Sequence, residues 1–416
     1  MKNILIAIRS IFKKGRHNVM KIVSLGIGLA VGLVLIAKVY FEQSYDGFYP
    51  DRDRVYQVWA KYQQNGGELK DYPQTSGGIA PTMQQQIPEI ETVTRYTSFG
   101  DWTFTMTDTK MKYSGRCIIA DSCFFDILPR PMLIGNAKEV LSTPMYVLVS
   151  SRIAKNIGGD VIGKNFTVDS SPGRTMTIGG VFEEVPENSH SRYDVIVSMA
   201  SAGRFMWEGS PTNMLGNDRY ISYVKLHKGV NPLALEEQVH TFVNSYFPPE
   251  EQQKTGFNIG FSFHELDGLH KELPQVKRMT WILSLLAFAL IFTAVMNYIL
   301  IVISSIVNRS KEVAVHKCYG ASENNIHGMM FGEALVHIVL SLILALLLIL
   351  AFRGTVEELL ATSLDSLLLS NGSLVLLGIC ILVFFVSGFM PGSLYARIPV
   401  ASAFRNYREN KRIWKK

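Results

Sequence analysis

Residues 22–40 read IVSLGIGLAVGLVLIAKVY, an apolar run broken only by a lysine near its end. A helix needs about 20 residues to cross a hydrocarbon core of about 30 Å. The run is longer than the apolar part of a usual signal peptide, and no A-x-A-like cleavage site follows it. We therefore expect a retained membrane helix, with Lys21 and Lys38 near its ends, where their long stems can reach the interface.

Three further stretches are long and apolar enough to cross a bilayer. Residues 338–352 alone read IVLSLILALLLILAF, and apolar residues make up 48% of the chain, with a mean hydropathy of +0.16. We predict a membrane protein with four transmembrane α-helices, which cover residues 21–40, 278–307, 329–352 and 372–395. Four crossings place both termini on the same side.

Basic residues indicate which side that is, because cytoplasmic flanks are enriched in Lys and Arg. Residues 1–21 contain six basic and no acidic residues, and residues 396–416 contain seven basic and one acidic. We therefore expect cytoplasmic termini: an amphipathic helix over 1–20 on the membrane lipids, and a basic tail over 396–416. The net charge of +6 belongs to this fringe, so it does not indicate nucleic-acid binding.

Between the first two predicted spans lie residues 41–277, which hold no other hydrophobic span. The stretches VYQVWAKY (55–62), YVLVSS (146–151) and NFTVD (165–169) favour strands, whereas SRIAKNI (151–157) and PLALEEQVHTFVNSYF (232–247) favour helices. We expect a large mixed α/β (α+β) extracytoplasmic domain inserted between transmembrane helices 1 and 2.

Residues 158–165, GGDVIGKN, come within one residue of the G-x-x-x-x-G-K-[ST] phosphate loop. A phosphate loop follows a strand and opens a helix, whereas here a helical pattern precedes the glycines and a strand pattern follows them. The loop also falls outside the cytoplasm in the predicted topology. We interpret it as a helix-to-strand turn, with Gly158 and Gly159 ending the helix.

No catalytic, metal or cofactor site is expected, and the chain is not predicted to be an enzyme. His190, His264 and His270 lack the spacing of zinc ligands, and no Ser-His-Asp or paired-carboxylate arrangement stands out. Cys117 and Cys123 would lie in a compartment that permits disulfides, but their spacing does not force a bridge, and both states stay open.

Residues 147–198, which include VLVSSRIAKNIGGDVIGKNFTVD and VPENSH, resemble the periplasmic core domain of MacB-type ABC transporter permeases. Residues 44–58 (SYDGFYPDRDRVYQV) and 124–144 are similar to its first strand and its middle. Residues 308–336, NRSKEVAVHKCYGASENNIHGMMFGEALV, resemble the signature of FtsX-type permeases. The resemblance covers nearly the whole chain.

This resemblance implies a type VII ABC permease in the inner (cytoplasmic) membrane, with residues 41–277 as its periplasmic core domain and 278–400 as its FtsX-like permease domain. It implies two permease subunits, identical or different, and a separate cytoplasmic ATPase, since the chain contains no G-x-x-x-x-G-K-[ST]. A periplasmic adaptor and an outer-membrane channel are further partners that the family suggests.

The predicted ATPase-coupling segment is residues 308–328, between the second and third spans. A short outer loop at 353–371 is predicted between the third and fourth spans. Gly320 is suited to ending a helix and Ser322 to capping the next one. His316, Cys318 and Tyr319 depart from the family pattern. The candidate coupling residues are Arg309, Lys311, Glu312, Lys317, Gly320, Ala321, Ser322 and Glu333.

Glu333 and His337, near the start of the third span, lie one helical turn apart. They could pair with each other or with a basic residue of the coupling segment, or Glu333 could contact water at the interface, and these alternatives stay open. Asn297 is expected to form an interhelical hydrogen bond. The small residues Gly26, Gly28, Ala30 and Gly32 are expected to allow close helix packing.

Two functions remain. In the first, ATP hydrolysis by the partner moves the periplasmic domain (mechanotransmission) and exports a periplasmic substrate such as a peptide, antibiotic or lipoprotein. In the second, an FtsX-like signalling protein activates a periplasmic hydrolase without transport. A receptor or enzyme without an ATPase is disfavoured by the basic termini and the four spans.

Overall fold

The computed structural model describes residues 18–169, 171–232, 235–304 and 322–368, together with positions 315, 318–320, 375, 378, 379 and 382. The chain divides into two compact units, one formed by Met1–Gln43 with Pro274–Lys416 and the other by Ser44–Leu273. The predicted tail lies outside the described residues, as do nearly all of the leaflet helix at 1–20 and of the fourth span at 372–395.

The described helices alternate with short strands throughout the second unit. The helices are α1 (Asn18–Gln43), α2 (Ile79–Gln86), α3 (Phe124–Ile127), α4 (Ala137–Ser142), α5 (Ser151–Ile157), α6 (Ala202–Phe205), α7 (Leu235–Tyr246), α8 (Pro249–Thr255), α9 (Pro274–Ser304), α10 (Glu323–Ala351), α11 (Arg353–Leu360) and α12 (Leu364–Leu368). The strands are β1 (Val55–Gln64), β2 (Lys70–Tyr72), β3 (Ile90–Met106), β4 (Lys112–Ala120), β5 (Met132–Ile134), β6 (Tyr146–Ser150), β7 (Asn165–Val168), β8 (Ser171–Phe182), β9 (Val195–Ser198), β10 (Ile221–Leu226) and β11 (Phe257–Glu265).

Three helices of the described chain are long and apolar enough to cross a membrane. Their spans are Asn18–Gln43, Pro274–Ile303 and Phe331–Ala351, which overlap the first three predicted segments. Helix α1 runs three residues beyond the predicted end at residue 40, and α10 begins at Glu323 because Ser322 caps it. These helices account for most of the first unit's described residues.

In this unit α1 packs against both α9 and α10 through small residues, as the sequence predicted. A Cβ placed on Gly28 would collide with the Cβ of Ala294, and one on Gly26 would lie 2.9 Å from the Cδ2 of Leu344. Leu25 and Leu29 fill the centre of the contact. Asn297 is exposed and makes no interhelical hydrogen bond with the residues described, so that prediction is not supported.

The segment predicted as a short outer loop, 353–371, contains the helices α11 and α12 instead. Lys38 of α1 is 7% exposed; its ammonium lies 2.7 Å from Glu42 and donates to the hydroxyl of Thr362 at 2.8 Å. Lys21 is likewise buried. The expectation that both lysines reach the interface is therefore wrong: the first unit encloses them, and Lys38 ties α1 to the α11–α12 segment.

The second unit contains an eleven-stranded sheet among its described residues, which bears out the mixed α/β expectation. The strand order is β11-β1-β10-β3-β4-β9-β6-β8-β5, with β2 beside β1 and β7 between β3 and β8. Strand β3 is 17 residues long and shifts register between Ser98 and Asp101, where Gly100 has a φ of +74°. This bulge divides β3 into two halves, of which the first pairs with β10 and the second with β7.

The first half of β3 pairs with β10 and completes the antiparallel set β11-β1-β10-β3. The second half pairs with β7, and β3, β4, β9, β6, β8 and β7 hydrogen-bond in a closed circuit. Phe104, Cys117, Val149, Phe166 and Ile178 are buried together in one core of this six-stranded ring. Closure removes exposed edges and encloses that core.

The turn at GGDVIGKN has the predicted form. Helix α5 ends at Gly158, whose φ is +74° and whose N–H donates to the carbonyl of Ala154 at 3.0 Å, and β7 begins at Asn165. The helix precedes the glycines, so the order of a phosphate loop is reversed. Cys117 and Cys123 are both free, and the Cys123 thiol donates to the carbonyl of Val93 at 3.0 Å.

The close packing of α1 and α9 predicts a difference between two helical glycines. Gly28→Ala forces its new methyl into Ala294, so we expect a loss of about 1–3 kcal/mol from overpacking. Gly354→Ala meets nothing within 4 Å, and alanine favours helix, so we expect no loss or a gain of up to about 1 kcal/mol. Thermal unfolding in detergent, followed by tryptophan fluorescence, measures both; equal midpoints would contradict the packing described here.

Candidate functional site

The structure describes three of the predicted coupling residues. Gly320 is exposed with a φ of +85°, and the Ser322 hydroxyl accepts a hydrogen bond from the N–H of Asn325 at 3.4 Å. A turn therefore precedes α10 and a capping serine begins it. Glu333 is 6% exposed and His337 is 1% exposed, so both side chains are buried among the helices. Arg309, Lys311, Glu312, Lys317 and Ala321 lie outside the described residues.

A second candidate site lies where the chain enters and leaves the extracytoplasmic domain. We call residues 44–54, which follow α1 directly, the entry connector, and residues 266–273, which lead into α9, the exit connector. Both belong to the second compact unit. They are the covalent links between that domain and two of the three long apolar helices.

Asp46 is the centre of the entry connector, and its residue is fully buried. Its Oδ1 accepts hydrogen bonds from the Ser189 hydroxyl at 3.1 Å and from the N–H of His190 at 3.2 Å, and its Oδ2 lies 2.8 Å from Nδ1 of His190. The backbone N–H of Asp46 donates to the carbonyl of Asn188 at 2.9 Å. A buried carboxylate is tolerated only with such a set of donors.

Asp46 also has a φ of +57°, a conformation that Asp and Asn adopt more readily than most residues. The Asn188 amide returns the contact by donating to the carbonyl of Ser44 at 2.9 Å. The entry connector and residues 188–191 are thus joined through both backbone and side chains. Residues 183–194 link β8 to β9, so the contact anchors the entry connector to the six-stranded ring.

His190 extends this network to the antiparallel sheet. Its Nδ1 lies 2.8 Å from Oδ2 of Asp46, and its Nε2 is hydrogen-bonded to the Tyr223 hydroxyl on β10. The ring thus lies between Asp46 and Tyr223, and a structural role fits this histidine as the sequence indicated. No group of three or more possible metal ligands occurs in the part of the chain that the structure describes.

Four buried tyrosines surround the network: Tyr49, Tyr96, Tyr193 and Tyr223. Burial raises the pKa of Tyr96 to about 12 and raises the pKa values of Tyr193 and Tyr223 well above their usual range. Their hydroxyls therefore stay protonated. Ser191 donates to the Tyr96 hydroxyl oxygen at 2.6 Å. The cluster supplies rigid packing and no ionised nucleophile.

The two connectors are also bound to each other. The rings of Tyr45 and His270 stack with centroids 3.5 Å apart, and Arg52 forms an ion pair of 3.0 Å with Asp267. The N–H of Leu266 donates to the carbonyl of Val55 at 2.9 Å. Entry and exit connectors consequently form one layer of the domain.

Sequence reasoning noticed both SYDGFYP and PENSH but did not pair them. Asp46 and His190 are 144 positions apart, and nothing local to either stretch signals the other. A buried carboxylate beside a histidine can only be found once the fold has brought them together. The resemblance of both stretches to one family was the only available signal.

Comparisons with solved structures find domains of transporter proteins. A domain of a protein described as a permease from Porphyromonas gingivalis is 32% identical, covering 52% of this chain and 91% of its own, with a TM-score of 0.48. The periplasmic region of MacB from Actinobacillus actinomycetemcomitans is 16% identical over 50% and 87%, with a TM-score of 0.33. The extracellular domain of the noncanonic ABC-type transporter YknZ from Gram-positive bacteria is 10% identical over 49% and 98%, with a TM-score of 0.35.

A comparison with curated proteins finds no match. Two family models match, and together they cover most of the sequence. The MacB-like periplasmic core domain matches residues 20–242, more than half of the chain, and the FtsX-like permease C-terminal model matches residues 284–400. Permeases of this type lie in the inner membrane, carry a periplasmic domain and work with a cytoplasmic ATPase. By these matches, the chain belongs to the MacB/FtsX family of ABC-transporter permeases.

Proposed function

We propose that this permease transmits movements driven by a separate cytoplasmic ATPase into its periplasmic domain, and thereby moves a periplasmic substrate such as a peptide, antibiotic or lipoprotein. The observation that carries the proposal is the double anchoring of the entry connector. Asp46 holds the turn at 188–191, and Tyr45 and Arg52 hold the exit connector. A displacement of α1 therefore meets bonded contacts directly after the helix ends.

The contacts give such a displacement two routes. Through Asn188 and Ser189 it reaches the loop between β8 and β9 in the six-stranded ring. Through His190 and Tyr223 it reaches β10 in the antiparallel sheet. Since β3 belongs to both sets of strands, the ring and the sheet respond together. Discrete, packed arrangements of this kind transmit movement because they do not deform continuously.

The proposed ATPase contact is the segment 308–328, with Arg309, Lys311, Glu312, Lys317, Ala321 and the turn at Gly320 as its docking surface. We further propose a pair of permease subunits, identical or different, and a periplasmic adaptor with an outer-membrane channel as the path outward. The chain itself would catalyse nothing. If a periplasmic hydrolase and no channel co-purified, the signalling alternative would hold instead.

The Asp46 network gives the first test. Asp46→Asn keeps the size and the tolerance for positive φ, but it replaces one carboxylate oxygen with an NH2 donor among the donors of Ser189 and His190. We expect the periplasmic domain to lose about 1–3 kcal/mol of unfolding free energy. Denaturant unfolding of the full chain in nanodiscs, followed by tryptophan fluorescence, measures the loss.

Asp53→Asn is the matched control, because Asp53 is exposed and lies seven residues away on the same connector. We expect it to change stability by less than about 0.5 kcal/mol. If both variants unfold alike, the Asp46 network does not anchor the connector.

The turn before α10 gives the second test. Gly320→Ala forces a Cβ into the left-handed region at a cost of about 1–2 kcal/mol, whereas Asn tolerates that region better. If the ATPase docks on this turn, its co-purification in mild detergent should fall by about 5- to 30-fold for Gly320→Ala and less for Gly320→Asn. Gly354→Ala is the control, and equal recovery in all three would remove the turn from the docking surface.

The transmission itself is tested by amide hydrogen exchange in the assembled complex. On addition of ATP, exchange should change at residues 44–48 and 186–191, where the N–H groups of Asp46 and His190 are bonded across the connector. ADP and a hydrolysis-deficient ATPase are the controls. Changes confined to residues near 315–330 would show an ATPase that docks without moving the domain.

A further inference from the structure

A cavity of about 390 Å³ opens in the periplasmic domain, beside the loop that holds Asp46. Its size falls within the range of small-molecule sites. Unlike an apolar pocket, it is lined mainly by charged groups. They are three arginines and three carboxylates: Arg116, Arg152, Arg192, Asp101, Glu184 and Asp194.

Three of these six charged groups form ion pairs with one another. Nη2 of Arg152 lies 2.6 Å from Oδ1 of Asp194, and its Nε lies 3.3 Å from Glu184. The other oxygen of Asp194 accepts the backbone N–H of Arg116 at 3.0 Å. Arg152 is therefore satisfied by two carboxylates, and it forms a fixed wall of the cavity together with Asp194.

The remaining arginines are not matched in this way. Arg192 makes no hydrogen bond or ion pair with any residue that the structure describes, although its side chain lines the cavity. Arg116 is 3.9 Å from Asp101, and the two side chains are 54% and 78% exposed, so that pair contributes little. Two guanidinium groups thus border one cavity with most of their N–H donors free.

We propose that this cavity binds an oxyanion, a carboxylate or a phosphate, between Arg192 and Arg116. A guanidinium group presents parallel N–H donors that match the two oxygens of such a group. Glycine at position 115 keeps the wall thin, since a Cβ there would lie 3.0 Å from the Cβ of Asp194.

The position of the cavity gives the ligand a second effect. Glu184 and Val185 precede residues 186–191, and Arg192 and Asp194 follow them, so the cavity is lined by both stems of the loop that bonds to Asp46. A ligand that bridges the stems restrains the loop, and by linkage the state of the loop alters the affinity. This second effect rests on the proposed function, whereas binding itself does not.

The test uses the full chain in nanodiscs without nucleotide, at low ionic strength, and calorimetric titration. The probes are tri-alanine, its C-terminal amide, and inorganic phosphate. We expect saturable binding of tri-alanine or phosphate, weakened about tenfold or more by Arg192→Ala and less by Arg192→Lys, which keeps the charge and loses the parallel donors. Arg219→Ala, an exposed arginine outside the cavity, should leave affinity within about twofold.

The outcomes separate the two sources of the oxyanion. Binding of tri-alanine but not of its amide identifies a peptide carboxylate, and binding of phosphate that tri-alanine does not displace identifies a phosphate group; both support the site. Absence of saturable binding by any probe, or affinities unchanged by both Arg192→Ala and Arg116→Ala, overturns it. Because no ATPase is present, failure here is distinct from failure of the transmission proposal.

Discussion

The buried carboxylate of Asp46 is the contact on which the organisation of the periplasmic domain depends. A buried carboxyl group needs hydrogen-bond donors, and leaving such a buried group without a partner costs about 1–3 kcal/mol. Asp46 receives donors from Ser189 and His190 and binds Asn188 through its backbone. These contacts hold the entry connector against residues 188–190, because a displaced connector would leave buried polar groups without hydrogen-bond partners.

The long strand β3 connects the two sets of strands that the Asp46 network contacts. Its register shift at Gly100 lets one continuous strand belong to the antiparallel sheet and then to the six-stranded ring. His190 contacts the sheet through Tyr223 while the turn that carries it belongs to the ring. The entry connector is thereby attached at one point to both the ring and the antiparallel sheet. Local packing alone would not join these two sets of strands.

The sequence predicts those parts of the fold whose causes are local. Hydropathy and length identified the three described spans, and the glycines after α5 identified a helix end because positive φ favours glycine. Closure of the ring depends on the pairing of β7 with β3, some 60 positions away along the chain. The Asp46 network depends on a contact between residues 144 positions apart. The helices α11 and α12 were not predicted, and neither was the burial of Lys38. A lysine at the end of a span can either reach water or be buried with polar partners, as Lys38 is with Glu42 and Thr362.

The burial of Lys38 with these partners affects how α1 can move. Lys38 and Glu42 form a buried ion pair on the last turns of α1, and Lys38 also donates a hydrogen bond to Thr362, on the segment that follows α10. Four residues after Glu42 comes Asp46, with its own buried network. A short stretch of chain thus carries two buried charged contacts, one in each unit. Each contact weakens steeply if stretched by an ångström or two. In the proposed function, a displacement of α1 would therefore be opposed first by the Lys38 contacts and then by the Asp46 network.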